Sequence, residues 1–472
     1  MARYGKALLT NVVSSPSGCL APRRMFHLGR SSGMNPYRFV PPAAQNPRPY
    51  IYAKECSMET ETEQIYERYI AIDSHKFYVV VGGIDAHLEP VLPQRRLSLE
   101  EFRRWAPKQL RPNDAVVIEA STNTWVLYDL VAPLVGKVVV VHPPKVKLIA
   151  AAAVKTDKID VFKLARLLMV GWLPEVWVPP QHVRDLRALI SHRWRLVRMR
   201  TATKNRLHSV LQRNAIRAPQ KHPFAQQQRA WWEGLEVTAT ERLRIRQDLE
   251  NLDHLGRQIA EVESEIQRLS TSEHWVDVVP YAMQLSGLGL ITTMTILAAI
   301  GDISRFPTAK KLVGYAGLGA SVHDSGLTHR KGHITKAGRK ELRWALVEAA
   351  WAAVRYDPYW KAQFQALERR MHPNQAIVAI ARKLLVVLWH LLSKKQAYRQ
   401  GTEEQTVRKM LRWSWKMDQD ARLGLTRRQF VRYALMHLGV AEEMTHIAYG
   451  GVHRIASVEE VLALRPELGT RS

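Results

Sequence analysis

Short apolar runs separated by turn residues dominate the chain between residues 68 and 142. Runs of this length without polar alternation are typical of strands buried on both faces of a sheet. A helix is predicted over 98–105, and Pro107 is expected to end it. The four predicted strands are Tyr69–Ile72, Phe77–Val81 (closed by Gly82 and Gly83), Ala115–Ile118 and Val138–Val141. Together these elements predict an α/β domain.

Helical periodicity replaces this pattern after Lys155. Val183–Leu211 is predicted as a long, basic amphipathic helix, and Glu241–Leu269 carries apolar residues near heptad spacing, which predicts a coiled-coil arm or a helical hairpin. A mostly helical region with Gly-rich turns follows. The predicted division is 1–67 (basic, disordered extension), 68–175 (α/β domain), 176–277 (basic helix and coiled-coil arm), 278–397 (mostly α domain) and 398–472 (charged helical tail).

The most apolar stretch, Ala376–Leu392, is interrupted by Arg382, Lys383 and His390. A membrane span needs about 20 predominantly apolar residues. We therefore interpret this stretch as a buried amphipathic helix and expect no membrane partner.

The charge balance is extreme for a folded protein. The chain has 472 residues, 69 Lys and Arg against 43 Asp and Glu, and a formal net charge of +26. Such an excess predicts a polyanionic partner, with nucleic acid favoured over an anionic membrane. The two cysteines, Cys19 and Cys56, exclude a disulfide scaffold and an all-cysteine zinc site.

The first 54 residues contain eight basic residues and no acidic ones. Their scattered Pro, Ser and Gly predict disorder. Three interpretations stay open for this segment: an extension preceding a true start at Met58, a nucleic-acid-binding arm, or an organelle transit peptide.

Four carboxylates stand where an α/β sheet presents reactive groups. Asp73 and Glu119 each follow a predicted strand, and Asp157 and Asp160 share one face at the start of a predicted helix. In a ribonuclease-H-like fold the four would hold two Mg²⁺ ions, with Mn²⁺ as a substitute, for phosphoryl transfer. Individually, Asp73 is also compatible with a turn residue. Asp157 is also compatible with a helix-dipole partner behind a Thr156 cap.

These residues lie in motifs that resemble the DEDD transposases of the IS110 family of insertion sequences. The resemblance spans residues 69–398. The motifs are AIDSHK (71–76), IEA (118–120), KTDKID (155–160), SGLG (286–289), IGDISRF (300–306), GYAGL (314–318), SG (325–326) and GHITKAG (332–338).

The resemblance implies a recombinase with a two-part active site. Its ribonuclease-H-like (RuvC-like) domain would bind the divalent metal through the four carboxylates, and its second domain would supply Ser325 as nucleophile. It further implies a structured bridge RNA that pairs with target and donor DNA. Homo-oligomerisation, as a dimer or tetramer, and a cytoplasmic, nucleoid-associated location in a bacterium are also implied. The coiled-coil-like arm independently predicts at least a dimer.

The sequence departs from the family pattern at several positions. Ala71 replaces a glycine before Ile-Asp, Ser121-Thr122-Asn123 replaces a Gly-containing stretch, and Val161 replaces an alanine. Asp324 replaces a serine and adds a negative charge beside Ser325. Because the four acids and Ser325 are all present, we expect the chain to be competent.

Ser325 alone would be an ordinary turn residue, and its setting makes it a candidate nucleophile. It lies in a polar, Gly-bounded segment, and cations after it would stabilise charge on a phosphorane-like transition state. Those cations are Arg330, Lys331, Lys336, Arg339 and Lys340.

Two further segments are candidates for nucleic-acid binding. The predicted basic helix opposes its many cations with Asp185 alone, which favours phosphate contact. Gly287 and Gly289 resemble a helix-hairpin-helix turn, in which glycine lets backbone amides approach a phosphate; a tight interhelical turn needs the same glycines. The cations singled out on the helix are Arg184, Arg187, Arg195, Arg198, Lys204 and Arg206.

The favoured function is an RNA-guided, Mg²⁺-dependent DNA transposase. Two alternatives stay open at this stage: a junction-resolving or single-strand nuclease that uses water, and a non-catalytic nucleic-acid-binding protein descended from a transposase. A metal-dependent covalent protein–DNA adduct separates the first from the other two.

Overall fold

The computed structural model describes residues 66–144, 146, 157–219, 222–325 and 328–466. The basic N-terminal segment and both cysteines lie outside these residues, as do the interpretations offered for them.

A five-stranded mixed sheet forms the first part of the molecule, in the order β3-β2-β1-β4-β5. Strand β1 pairs antiparallel with β2 and parallel with β4, β2 pairs antiparallel with β3, and β4 pairs parallel with β5. The elements are β1 Arg68–Ser74, β2 Tyr78–Asp85, β3 Pro90–Ser98, α1 Leu99–Gln109, β4 Asp114–Glu119, α2 Thr124–Val131, β5 Lys137–Val141 and α3 Asp157–Met169.

Both faces of this sheet are buried, as the apolar runs predict. Alternate residues of β1 enter two separate cores: Tyr69 and Ala71 face α3, whereas Ile70 and Ile72 face α1 and α2. A buried ion pair, Arg68–Asp114 (2.7 Å), joins the N-terminal ends of β1 and β4. The mixed sheet with helices on both faces agrees with the predicted α/β class.

Two local predictions in this domain are wrong, and one strand was missed. Strand β2 does not end at Gly82 but continues to Asp85. Strand β3 was not predicted, because an edge strand tolerates proline and polar residues that a buried run excludes. Helix α1 continues through Pro107 to Gln109, because a proline in the last turn removes only one backbone hydrogen bond.

Two long helices form the middle of the chain, and their predicted positions are close to the observed ones. They are α4 Gln181–Arg213 and α6 Ala239–Leu269, joined through the short α5 Arg229–Glu233. The apolar residues of α6 at near-heptad spacing are buried within this chain: Leu249 and Leu252 pack with Leu207 of α4, and Ile259 and Ile266 join the large C-terminal core. The hairpin interpretation is thus the one observed. The seam carries no argument for a dimer because its own chain already covers it.

The remainder is mostly helical and shares one large core. Residues of the tail, among them Met410 and Phe430, lie in the same core as Leu346 and Leu384. The elements are α7 Val279–Met283, α8 Leu290–Ile300, α9 Ala309–Tyr315, β6 Ala320–Ser325, β7 Thr328–Ile334, α10 Lys340–Tyr356, α11 Pro358–Glu368, α12 Pro373–Lys394, α13 Glu403–Ser414, α14 Arg427–Leu438, β8 His446–Ala448, β9 Val452–Arg454 and α15 Val458–Leu462.

Helix α12 contains the stretch interpreted as a buried helix. Among the described residues it is the single helix whose length and composition would suffice to cross a membrane, and half of its most apolar window is buried inside the protein. Ile380, Leu384 and Leu388 are fully buried in the C-terminal core. The observed packing agrees with a core helix.

Candidate functional site

Asp73 and Glu119 lie side by side at one end of the sheet. The parallel register pairs Ile72 with Ile118, so the next residue of each strand is one of the two acids. Both acids belong to the alternation whose members face α3, Tyr69 and Ala71 on β1 and Ala115 and Val117 on β4. The structure therefore brings these two predicted residues to the same edge and the same face.

Polar side chains tie together the loops that follow these two strands. Ser74 Oγ donates to Asn123 Oδ1 (2.7 Å) and lies 2.7 Å from Ser121 Oγ. Asn123 Nδ2 donates to the carbonyl of His75 (3.1 Å), whose Nε2 lies 3.2 Å from the Asp73 carboxylate. Along the sequence, Ser121 and Asn123 are only departures from a family pattern. Here they fix the spacing of the two acid-bearing strand ends.

Helix α3 packs directly onto the sheet at Gly82. A Cβ at Gly82 would lie 2.8 Å from Val161 Cγ1, closer than side chains approach one another. Gly82 pairs with Ala71, two residues before Asp73. The first turn of α3 contains Asp157 and Asp160 and immediately precedes Val161, so the backbone brings the predicted acidic helix to the face that Asp73 and Glu119 share.

A Gly82→Ala substitution should displace α3. Overpacking of this kind costs about 1–3 kcal/mol, and we expect DNA cleavage to fall at least about tenfold as the acidic turn moves from the strand ends. Cleavage of a labelled DNA and thermal unfolding measure the two effects.

The matched suppressor is the double variant Gly82→Ala with Val161→Ala, which removes the clashing methyl group and should restore much of the cleavage. A Gly82→Ala protein as active as the parent would show that this close packing does not position the site.

The donor set at the strand ends suits a hard divalent cation. Carboxylate oxygens are the ligands that Mg²⁺ prefers, and Asp73 and Glu119 offer them from adjacent strands. Among the described side chains, no group of three or more His, Cys, Asp and Glu could hold a metal ion. The side chains of Asp157 and Asp160 are not among the described ones. The structure therefore describes the side chains of two of the four predicted ligands, Asp73 and Glu119.

Ser325 ends β6 at the tip of a β-hairpin. It pairs with Thr328 across the turn, while the other end of the strand pairs Ala320 with Ile334. At about 3.4 Å per residue, Ser325 lies roughly 17 Å along the strand from Ala320. The hairpin therefore places the predicted nucleophile at its far end.

The cations predicted beside Ser325 are divided along the hairpin. Arg330 and Lys331 stand on β7 opposite His323 and Val322, within three residues of the tip. Lys336 and Arg339 follow the other end of β7. There a Lys336 N–H bonds to the Gly317 carbonyl (3.1 Å) and fastens the hairpin base to the helical domain.

The predicted basic helix α4 uses several of its cations within the protein. Arg184 makes a bidentate ion pair with Asp129 (2.6 and 2.7 Å), and Arg206 pairs with Asp248 (2.6 Å). Arg187 turns inward to the carbonyls of Ala298 and Ala299 at the end of α8. Burial, with a nearby Arg339, lowers the pKa of Arg187 to about 10. These three therefore hold the fold together, whatever else they bind.

Arg195, Arg198 and Lys204 have a different setting on the same helix. Arg195 and Arg198 are exposed. Lys204 lies over the Phe224 ring (5.3 Å), and burial, aided by Arg200, lowers its pKa. Of the six predicted phosphate-binding cations on α4, the exposed ones are Arg195, Arg198 and the ion-paired Arg206.

A contact that was not predicted from the sequence joins two predicted basic regions. The Trp194 ring lies under two cations, Arg198 of α4 (4.9 Å) and Lys340 of α10 (4.6 Å). The cation-rich face of α4 is therefore continuous with the segment that follows the Ser325 hairpin. Only the alternation of Trp and Arg at helical spacing could have indicated it.

Gly287 and Gly289 serve different needs in the turn between α7 and α8. Gly287 has a φ of +86°, and a Cβ there would lie 2.0 Å from the Ala349 carbonyl of α10. Gly289 is exposed with nothing within 4 Å of a Cβ position. The packing role thus accounts for Gly287, and phosphate contact at this turn stays a prediction.

A buried lysine from the tail closes the same turn. Lys409 Nζ donates to the carbonyls of Met283 (2.7 Å) and Leu288 (3.2 Å), and also to Leu285. Burial is the main cause that lowers the pKa of Lys409 to about 7. The turn is therefore held in shape by a lysine that gains or loses its proton near neutral pH.

Replacing Lys409 with methionine should destabilise the fold and alter its pH dependence. Carbonyls left without a donor cost about 1–3 kcal/mol. Because the folded-state pKa of about 7 lies below the ordinary 10.5, the unfolded chain binds the extra proton between these values. The Lys409 contribution to the unfolding free energy therefore rises with pH across that window.

Denaturant unfolding at pH 7, 8.5 and 10 measures this effect. The stability advantage of the parent over Lys409→Met should widen as pH rises. A constant difference would contradict the buried titration.

Two family models match the chain in the regions described above. The model of the Transposase IS116/IS110/IS902 family matches residues 280–365, and the model of the IS110-type DEDD transposase domain matches residues 70–215.

Several named proteins are similar to this chain over different shares of its length. A protein of Pseudomonas aeruginosa named as a family 20 transposase is 28% identical over 70% of this chain and 98% of its own length. A protein of Sinorhizobium fredii named as a transposase is 27% identical over 64% of this chain and 75% of its own length. The pilin gene-inverting protein of Moraxella bovis is 37% identical over 24% of this chain and 36% of its own length.

A ribonuclease-H-like sheet with acids at its strand ends, matched by a DEDD transposase model, defines a DNA transposase. The chain belongs to the IS110/IS116 family of transposases. DNA is accordingly its partner, DNA cleavage and rejoining is the activity its family supports, and a divalent metal is the cofactor that the DEDD domain implies.

Proposed function

We propose that this chain cuts and rejoins DNA strands with a carboxylate-bound Mg²⁺ site and Ser325 as nucleophile, directed by a structured RNA. The carrying observation is that Asp73 and Glu119 share one sheet edge, while Ser325 ends a hairpin of a separate region. The metal domain would comprise 68–175 and the serine domain 278–397, separated by the basic helix and arm over 176–277 and followed by the tail over 398–472.

Four carboxylates would hold the metal: Asp73, Glu119, Asp157 and Asp160. Bound there, Mg²⁺, or Mn²⁺ as a substitute, would supply positive charge to the oxygens of a reacting phosphate. The loop contacts of Ser121 and Asn123 support this role because they hold the two strand ends at fixed spacing. A fixed acidic edge needs little reorganisation when a phosphate arrives.

Ser325 would attack a phosphorus atom of the DNA backbone. A bond forms between the serine Oγ and phosphorus, the bond from phosphorus to one sugar oxygen breaks, and that sugar oxygen leaves as a hydroxyl after taking up a proton. The Oγ proton is released to solvent. Because one phosphodiester replaces another, a new sugar hydroxyl can reverse the step and join a different strand without ATP. Arg330 and Lys331, on the strand facing β6, are close enough in register to stabilise the added negative charge.

A hairpin roughly 17 Å long suits delivery of the serine to a distant carboxylate site. We propose that the serine of one protomer acts at the metal domain of another, in a dimer or tetramer. This assembly no longer draws support from the α6 seam, which is buried within the chain.

The RNA partner is proposed from the cation distribution. Arg195 and Arg198 of α4 are exposed beside Trp194 and join the face that continues into Lys340. Such a surface binds phosphates without regard to sequence, so a guide that pairs with DNA would supply the sequence choice. The exposed Gly289 turn, and the cations Lys336 and Arg339 at the hairpin base, would add phosphate contacts.

The deciding experiment is to trap a covalent protein–DNA adduct. Protein expressed with its native flanking DNA is incubated with labelled element-end DNA and Mg²⁺, denatured and digested, and the DNA-linked peptide is sequenced. A metal-dependent link at Ser325 is expected. Cleavage without any adduct would favour a nuclease that uses water, and tight binding with neither would favour a non-catalytic protein.

The nucleic acid that co-purifies tests the RNA separately. One discrete RNA transcribed from a flank of the gene is expected. Random fragments released by salt would remove the guided part of the proposal and leave the adduct result standing.

A further inference from the structure

Helix α10 has an exposed stripe of side chains that contains two tryptophans and has a cation at each of its two ends. Trp344 and Trp351 are 43% and 40% exposed, although tryptophan in a folded protein is mostly buried. They are seven residues apart, which places them on one side of the helix about 10 Å from each other. The stripe consists of Lys340, Trp344, Glu348, Trp351 and Arg355.

The two tryptophans are held outward by a well-anchored helix. The opposite side of α10, including Leu342, Leu346 and Ala350, is fully buried in the C-terminal core. The Trp351 ring also contacts Phe364 of α11 (centroids 5.7 Å apart). The exposure therefore belongs to the folded helix and does not come from a loosely attached element.

This stripe continues onto the basic helix α4. The Lys340 ammonium lies over the Trp194 ring, which Arg198 covers from its own helix. Three tryptophans thus lie in succession between Arg198 and Arg355, with Lys340 between the first two and Glu348 between the last two. The same end of α10 follows the base of the hairpin whose tip is Ser325.

We propose that the stripe of α10 binds an unpaired strand of DNA, whose bases stack on Trp344 and Trp351 while Lys340 and Arg355 bind its phosphates. Flat indole faces accept any base, and cations beside them pair with the backbone, which is the chemistry of sequence-tolerant single-strand binding. The commitment to DNA rests on the proposed function, since strand cleavage and transfer release unpaired DNA ends near the serine domain.

Charge disfavours a second copy of this chain as the occupant. Two stripes packed antiparallel would set Lys340 against the partner's Arg355 at both ends, and like charges repel. Glu348, between the two tryptophans, is the acidic member of the stripe. Partial burial raises the pKa of the Glu348 carboxyl.

Binding of the full-length protein to a fluorescent 20-nucleotide oligo(dT), without divalent metal, tests the proposal independently of cleavage. The pair Trp344→Ala with Trp351→Ala should weaken this binding at least about tenfold, because each lost indole removes a stacked base, and weaken binding to a 20-base-pair duplex less than about twofold. The pair Trp344→Phe with Trp351→Phe retains flat rings and should stay within about threefold of the parent. Glu348→Gln should tighten binding by about twofold.

The matched control is Trp415→Ala. Trp415 is 48% exposed and also lies beside an arginine, Arg427 (5.0 Å), but belongs to the tail; its loss should leave oligo(dT) binding unchanged. Three results would overturn the proposal: unchanged oligo(dT) affinity in the alanine pair, a larger loss for oligo(U) RNA than for oligo(dT), or a change of oligomeric state in light scattering, which would show that another copy covers the stripe. If the alanine pair fails to fold, Lys340→Ala with Arg355→Ala should weaken oligo(dT) binding in its place, and unchanged affinity there would also overturn it.

Discussion

A Ser325→Ala variant is expected to form no covalent DNA adduct and to lose strand transfer entirely, while binding nucleic acid like the parent. The hydroxyl is the atom that would bond to phosphorus, and alanine removes it with little change to a β-hairpin tip. Because Ser325 ends β6, opposite Thr328, the substitution leaves the core of the helical domain untouched. Denaturing gels of labelled DNA measure the adduct, and mobility shifts measure binding.

Two matched variants make this result specific. Ser321 stands on the same strand, with its hydroxyl donated to the His333 carbonyl (3.1 Å), and Ser321→Ala should keep the adduct. Thr328 is the register partner of Ser325 and the nearest alternative hydroxyl along the hairpin, so Thr328→Ala should keep it too. An adduct that persists in Ser325→Ala and disappears in Thr328→Ala would transfer the nucleophile's role to the threonine.

The buried strands of the sheet were predictable because nearly all of their residues are apolar. β1, β4 and β5 are short apolar runs with both faces covered, and their length, branched residues and flanking turn residues favour strands over buried helices. β3 was not predictable because an edge strand pairs with only one neighbour and therefore tolerates Pro and Arg in its sequence. The continuation of β2 past Gly82 was not predictable because the glycine is needed for close packing against Val161, a residue far away in sequence.

The candidate site was predictable to the extent that strand ends determine it. Asp73 and Glu119 lie at the C-terminal ends of their strands, so any parallel pairing of β1 with β4 in this register brings them together. The contacts that fix them, Ser74 with Ser121 and Asn123, depend on two loops meeting in space and have no signature along the chain.

The cations of α4 show the opposite limit. The sequence shows that a residue is charged but not which group it contacts, so Arg184, Arg187 and Arg198 look equivalent in sequence. The structure separates them because Asp129 holds the first, helix-end carbonyls hold the second, and Trp194 lies beneath the third. The heptad spacing of α6 was ambiguous for a related reason: an apolar seam predicts a partner helix without saying whose chain supplies it.

Removing one carboxylate from the sheet edge should abolish cleavage without weakening DNA binding. Asp73→Asn and Glu119→Gln keep the size of each side chain and its hydrogen-bonding capacity but remove the negative charge that a divalent cation requires. We expect metal-dependent cleavage to fall by at least about 10³-fold in each variant, since a positioned charge on a transferring phosphate accounts for several kcal/mol of barrier reduction. Titration calorimetry with Mn²⁺ provides a second readout and should show weaker binding in both.

Asp85→Asn is the matched control for both substitutions. Asp85 belongs to the same sheet but pairs with Arg68, at the opposite end of β1 from Asp73. Its carboxylate accepts backbone N–H groups of His87 and Glu89 in a turn. Losing it should soften that turn and leave cleavage and Mn²⁺ binding unchanged. If Asp73→Asn cleaved DNA as well as Asp85→Asn, the sheet edge would be a structural feature of the fold and the chemistry would have to reside wholly on the serine hairpin. If both acids are required, formation of the adduct at Ser325 needs the metal domain as well as the serine domain.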